Sequence, residues 1–182
     1  MTHAAAPRGP YGIMAEYETP EAVIAAGRLS REHGFTALDA YTPFPVNGLD
    51  EAIGIPKSRL PALVLAGGLL GGTGAYFMQW YASVVSYQIN VGGRPFHSWP
   101  MFLPITFEMT VLGAAFAAVV GMLGLNGLPR HNHPIFNAEG FERATGDRFF
   151  LCVFAIDPKF DLTTTREFLE TTQPIHVTVV DR

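Results

Sequence analysis

Charged residues are missing from two long stretches in the middle of this 182-residue chain. Residues 60–93 contain no Asp, Glu, Lys, Arg or His, and residues 98–129 contain a single one, Glu108. A helix needs about 20 consecutive, mostly apolar residues to cross the hydrocarbon core of a bilayer. Because both stretches exceed that length, the sequence predicts a membrane protein with a two-helix transmembrane hairpin.

Cysteine is nearly absent, since Cys152 is the only one in the sequence. A single thiol excludes an intrachain disulfide, a cysteine-held iron–sulfur cluster and a CxxCH haem site. Cys152 lies in an apolar run, so we expect a buried, inert thiol. The chain also lacks a P-loop and GxGxxG, GxSxG and HExxH motifs. It has no basic stripe for nucleic acid, and its first ten residues lack the apolar region of a signal peptide.

The apolar stretches predict the domain boundaries. We expect an N-terminal arm at 1–10, a water-facing piece at 11–59, transmembrane helices at 60–85 and 101–125 joined by a loop at 86–100, and a second water-facing piece at 126–182. Pro61 and Pro104 are predicted to lie in the first turn of their helices, where a missing N–H is harmless. Aromatic residues cluster near the loop, as is typical of a membrane interface.

Basic residues near the spans predict the orientation. Lys57, Arg59 and Arg130 lie on the side of the two termini, and Arg94 stands alone in the connecting loop. Cytoplasmic loops carry an excess of Lys and Arg. Both termini are therefore expected in the cytoplasm. Arg94, Pro95 and Trp99 also suit a docking role at the interface, because the guanidinium binds carboxylates or phosphates and the rings stiffen the loop. Simple interfacial anchoring is the alternative.

Small residues recur at four-residue spacing in both spans. They are Gly67, Gly68, Gly71 and Gly72 in the first span, and Gly113, Ala117 and Gly121 in the second. In lipid, helices associate by close packing and hydrogen bonding, so faces of small residues indicate helix contacts. Two uses remain open at the sequence level: the small faces pack the hairpin on itself, or one of them docks on another membrane subunit.

Glu108 is the one ionisable residue in the apolar spans. A carboxylate inside a bilayer is unfavourable, so Glu108 is expected to be neutral, hydrogen-bonded or close to the interface. One interpretation makes it a proton-relay or quinol-contacting carboxylate. The other makes it a structural residue that hydrogen-bonds to Thr106, to Thr110 or to a neighbouring subunit.

The two water-facing pieces each show a strand–helix–strand pattern. The strands are expected at 11–17, 35–41, 149–156 and 175–180. Thr19 and Gly34 delimit the first helix, and Asp161 or Thr164 caps the second. Two βαβ units form the split, ferredoxin-like arrangement. The predicted fold class is therefore an α+β membrane protein, in which a transmembrane hairpin interrupts a split βαβ–βαβ ferredoxin-like domain.

Metal binding has little support in the sequence. His131 and His133 form an HxH pair, but a metal site needs at least one further ligand of suitable geometry, and the other histidines are scattered. We therefore expect no metal, and we expect this chain to bind no cofactor of its own.

The loop and the second span resemble a known family. The most specific segments are GGRPFHSWP at 92–100 and PITFE at 104–108, with further matches in GLPR at 127–130, HP at 133–134, DRFF at 147–150 and DPKFD at 157–161. With these segments the chain resembles the ActD family, the small two-span subunits of alternative complex III, a bacterial quinol-oxidising respiratory complex. The resemblance extends over nearly all of the chain from Tyr11.

The resemblance implies a subunit of the bacterial inner (plasma) membrane without its own redox centre. Haems and iron–sulfur clusters are expected on periplasmic partner subunits, and quinol chemistry in multi-span membrane partners. It transfers no catalytic role to any residue here. The preferred hypothesis is a structural, non-catalytic subunit in contact with these partners and with lipid. The rival hypotheses are a stand-alone membrane-anchored sensor or metal-binding module, and an ion-conducting oligomer with a ring of Glu108.

Overall fold

The computed structural model describes residues 9–182, so most of the N-terminal arm expected at 1–10 lies outside the described residues. The described chain forms two compact units. One combines residues 9–56 with His131–Arg182, and the other is Lys57–Arg130. The helices are α1 Pro20–His33, α2 Leu49–Ile53, α3 Leu60–Trp80, α4 Trp99–Leu125 and α5 Leu162–Thr171, and the strands are β1 Gly12–Tyr17, β2 Leu38–Tyr41, β3 Phe149–Phe154 and β4 His176–Val180.

A four-stranded sheet lies in the first unit, in the order β2-β3-β1-β4. Every neighbouring pair is antiparallel. Two strands precede the apolar stretches in the sequence and two follow them, so the two outer pieces of the chain share one sheet. β3 lies in the interior of the sheet, as its continuous apolar run predicts.

The helix ends of this unit follow from local side-chain chemistry. The Thr19 hydroxyl accepts a hydrogen bond from the Ala22 amide, and Gly34 ends α1 in the left-handed conformation, as predicted. The Asp161 carboxylate accepts from the amides of Thr163 and Thr164 at the start of α5. Of the two predicted caps, Asp161 is therefore confirmed. The alternative at Thr164 is wrong because α5 already begins at Leu162.

Both faces of the sheet are covered. On one face, α1, α2 and α5 bury a core around Ile13, Leu151 and Leu169. On the other face, two 3-10 turns, Pro134–Asn137 and Phe141–Thr145, pack a second core. Its members are Met14, Ile135, Ala138, Phe141, Ala144, Phe150, Cys152 and Val180. These turns could not be predicted from the sequence, because residues 126–148 have no helical or strand periodicity.

The second unit is a helical hairpin. A π-helical segment, Tyr81–Ser86, continues α3, and each of the two helical stretches is 27 residues long and apolar enough to cross a membrane. At 1.5 Å per residue each measures about 40 Å, which exceeds the roughly 30 Å of a hydrocarbon core. The predicted position of Pro104 is wrong. Because α4 begins at Trp99, Pro100 occupies the first turn and Pro104 lies inside the helix.

Candidate functional site

The small residues of the two spans face each other across the hairpin. A Cβ atom added to Gly67 would lie 2.7 Å from the carbonyl oxygen of Gly113, and one added to Gly113 would lie 2.5 Å from the carbonyl oxygen of Gly67. The remaining predicted packing residues have these neighbours: Gly68 faces Ala114 and Thr110, Gly71 faces Met109, Gly72 faces Thr110, Ala117 faces Gly67, and Gly121 faces Leu60 and Leu63. The α3–α4 contact thus uses the small faces of both helices.

Every hydroxyl and amide side chain of α3 and α4 has a hydrogen-bond partner within the hairpin. Thr73 Oγ1 donates to the Leu69 carbonyl at 2.6 Å, and Thr110 Oγ1 donates to the Thr106 carbonyl at 2.7 Å. Gln79 Nε2 donates to Thr106 Oγ1 and to the Phe102 carbonyl, at 3.3 Å each. The Tyr76 hydroxyl and His97 Nε2 are 2.8 Å apart. These groups are therefore satisfied without water, as a bilayer interior requires.

Glu108 differs from all of these groups. Its side chain is exposed on the surface of the hairpin and makes no hydrogen bond or ion pair with any residue in 9–182. At 100° per residue its direction differs by about 160° from those of Thr106 and Thr110, which both turn toward α3. Glu108 therefore makes no hydrogen bond to Thr106 or Thr110, which were its possible partners within the hairpin. Glu108 faces away from the hairpin.

The connecting loop turns at two glycines and presents its predicted docking residues outward. Gly92 and Gly93 have φ angles of 61° and 76°, a region that favours glycine. The Arg94 amide donates to the Val91 carbonyl at 3.2 Å and closes the turn. The side chains of Arg94 and Pro95 are exposed. Trp99, at the first position of α4, is 56% exposed.

The predicted burial of Cys152 is confirmed. Its side chain has no exposed surface and belongs to the second core of the sheet. Burial, helped by the neighbouring Asp39 carboxylate, raises the pKa of the Cys152 thiol to about 12. The thiolate is the nucleophile in cysteine chemistry, and at neutral pH almost none is present.

Cys152 is accordingly expected to resist thiol reagents in the folded protein. A maleimide should label the purified chain at least about a hundredfold more slowly in mild detergent than in denaturant, because both access and thiolate are lacking. Mass spectrometry of time points measures both rates. Equal rates in the two conditions would show that the second core opens readily.

Asp157 holds together distant segments of the first unit, a role that was not predicted because its sequence signal is only the DPKFD segment. Its side chain is 5% exposed. One carboxylate oxygen accepts from the amides of Thr36 (2.6 Å) and Ala37 (2.7 Å), and the other accepts from the Lys159 amide at 2.9 Å. Burial alone would raise the pKa of the Asp157 carboxyl, but these donors outweigh burial and hold the pKa below its ordinary value.

His133, the second histidine of the HxH pair, has hydrogen-bond partners in the first unit. Nδ1 of His133 accepts from the Ile135 amide at 3.2 Å, and Nε2 lies 3.4 Å from the Tyr11 hydroxyl. Within residues 9–182 there is no group of three His, Cys, Asp or Glu side chains placed to hold a metal ion.

Comparison with known proteins adds one match. A family model described as "Alternative complex III, ActD subunit" matches residues 11–179, nearly the whole chain. No curated protein matches the chain significantly.

Proposed function

The chain belongs to the ActD family, whose members are subunits of alternative complex III, and from that premise we propose that it is a structural subunit without a catalytic role of its own. Alternative complex III is a quinol oxidoreductase complex of the respiratory chain. In this proposal the chain stabilises the membrane part of the complex in the bacterial inner membrane. Its partners are multi-span membrane subunits and subunits that carry the haems and iron–sulfur clusters.

The distribution of buried and exposed groups carries this proposal. In the first unit both faces of the sheet are covered, and the buried Tyr17 and Cys152 have pKa values raised by burial to about 12. Such groups are neutral at physiological pH and are poorly suited to acid–base or nucleophilic chemistry. In the second unit the exposed surface consists largely of apolar side chains. These features of residues 9–182 support a packing role.

We also propose a ferredoxin-like domain on the cytoplasmic side of the membrane, without a bound cofactor. Support comes from the element order, in which β1, α1 and β2 are followed after the hairpin by β3, α5 and β4. Two βαβ units on one antiparallel sheet suit the split arrangement. Lys57, Arg59 and Arg130, at the ends of the hairpin opposite the loop, favour cytoplasmic termini.

Docking on neighbouring subunits is assigned in this proposal to the exposed loop residues Arg94, Pro95 and Trp99. The guanidinium of Arg94 suits bidentate binding of a carboxylate on a partner. Arginine and tryptophan are the residue types that most often dominate binding energy at protein interfaces. Pro95 restricts the conformations of the loop, which lowers the entropy lost on binding.

The double variant Arg94→Ala/Trp99→Ala tests this function. We expect the yield of assembled complex in mild detergent to fall about tenfold or more, because two anchor residues are removed. Quinol oxidation per haem in the complex that remains should stay within about twofold of the wild type. Ile89→Ala, which truncates another exposed side chain of the same loop, is the matched control and should assemble normally.

Two outcomes of this experiment would contradict different parts of the proposal. An unchanged yield with unchanged turnover would show that the loop does not dock. A normal yield with strongly reduced turnover per haem would show that the chain takes part in catalysis and is not merely structural.

A further inference from the structure

The outer side of α4 carries one polar group in an otherwise apolar surface. We define the outer stripe as the exposed residues that lie within one helical sector around Glu108, namely Met101, Ile105, Glu108, Leu112, Ala115 and Val119. The stripe faces away from α3, whose contacts use Thr110, Gly113 and Ala117 on the opposite side of α4. A lipid-facing stripe needs no carboxylate, so Glu108 indicates a different environment.

Glu108 lies too deep along α4 for its carboxylate to reach water. It lies nine residues after Trp99, the first residue of α4. At 1.5 Å per residue this places it about 14 Å along a helix of about 40 Å, and therefore several ångströms inside a centred hydrocarbon core of about 30 Å. Long Lys and Arg side chains can extend their charged ends to the membrane interface, but a glutamate side chain is too short to do so. Headgroups and water are thus out of reach for an ionised Glu108.

We propose that the outer stripe of α4 is the contact surface for a membrane-spanning helix of another subunit, and that this helix carries an Arg or Lys side chain that pairs with Glu108. The five apolar residues of the stripe would supply the packing, and the ion pair would set the register between the two helices. Buried ionisable groups in membranes are typically paired in this way.

Charge decides between the candidate occupants of the stripe. A second copy of this chain, docked by two-fold symmetry through the same stripe, would bring two Glu108 carboxylates toward each other. Like charges at short distance in a low dielectric repel strongly. Lipid tails offer no hydrogen-bond donor at this depth. Glu108 needs a compensating positive charge and a hydrogen-bond donor. A basic side chain on a different subunit supplies both.

Retention of the chain in the complex tests the proposal. With an affinity tag on another subunit, the retained fraction of this chain is measured in mild detergent for Glu108→Leu, Glu108→Gln and the control Thr73→Val. Thr73→Val also removes an exposed polar group, but one that bonds within its own helix. We expect losses of about tenfold for Glu108→Leu, a smaller loss for Glu108→Gln, and none for Thr73→Val.

The leucine variant makes α4 more apolar, so failed membrane insertion would not explain its loss from the complex. Wild-type retention of Glu108→Leu would overturn the proposal. Wild-type retention of Glu108→Gln together with loss of Glu108→Leu would overturn the basic partner, because an amide would then suffice.

Photo-crosslinking identifies the occupant directly. A photoreactive amino acid in place of Leu112, one turn from Glu108 on the same stripe, is incorporated in the intact complex and activated in native membranes. The expected adduct is a spanning segment of another subunit that contains an Arg or Lys within its apolar stretch. Adducts to lipid alone, to a second copy of this chain, or to a spanning segment without a basic residue would overturn the proposal.

Discussion

Replacing Gly67 by leucine is expected to separate the two helices of the hairpin. Even the first side-chain atom at this position would lie 2.7 Å from the Gly113 carbonyl oxygen, which is backbone and cannot rotate away. Close packing is the main force that holds helices together in lipid. We expect the free energy of unfolding of the hairpin to fall by roughly 3 kcal/mol, near the upper end for an overpacked site. Titration of the purified chain from mild detergent into SDS, followed by tryptophan fluorescence, measures the loss.

Gly74 supplies the matched control on the same helix. A Cβ atom added there meets nothing within 4 Å. Gly74→Leu gains the same intrinsic helix propensity, about 0.8–1 kcal/mol over glycine, without a clash. The difference between the two variants therefore isolates the helix contact. If both variants unfolded at the same SDS fraction, Gly67 would not lie at a tight contact between α3 and α4.

Removing the carboxylate of Asp157 is expected to produce the largest loss of stability in the first unit. Asp157→Ala leaves the amides of Thr36, Ala37 and Lys159 without their acceptor at a site that is 5% exposed. An unsatisfied buried donor costs about 1–3 kcal/mol, and because Thr36 and Lys159 lie at the surface, water replaces part of the lost acceptor; a total loss of about 1–3 kcal/mol is expected. Thermal unfolding of the full chain in mild detergent, followed by circular dichroism, reports the change.

The same carboxylate predicts a pH dependence. Because its hydrogen bonds lower the pKa of Asp157 in the folded state, its contribution to stability is complete above the pKa of the unfolded chain, about 3.9. That contribution is lost as the pH falls through the folded-state pKa. The stability difference between the wild type and Asp157→Ala should thus be constant at neutral pH and shrink below pH of about 4.

Asp147→Asn is the matched control for this prediction. The Asp147 carboxylate is exposed and pairs with Arg143 on the surface. Exposed ion pairs contribute little to stability because solvent screens them, so this variant should unfold almost as the wild type does. An equal effect of the two substitutions would mean that Asp157 does not hold the loop before β2.

The hairpin and the order of the elements were predictable because their signals are local. Twenty or more uncharged residues in a row indicate a spanning helix whatever surrounds them. Caps such as Thr19 and Gly34 act on amides a few residues away. The interior position of β3 followed from its own apolar run. None of these inferences required knowledge of which distant segments meet.

The parts that were missed depend on distant contacts. Residues 134–145 cover the second face of the sheet without any periodic pattern of their own, because single apolar side chains at irregular spacing are enough to fill it. Asp157 binds amides about 120 positions earlier in the sequence. Pro104 was placed in the first turn because the start of α4 at Trp99 left no clear signal in the loop.

Composition and residue spacing are enough to indicate two apolar spans, one carboxylate within them, small residues at helix-contact spacing, and strands on both sides of the hairpin. The contact between the two small faces, and the direction of Glu108 away from them, follow from the packing of α3 against α4 and could not be inferred from spacing. The reason is geometric. Spacing along a helix defines which residues share a face, but the direction of that face is decided by the neighbouring helix, whose backbone approaches only where side chains are absent.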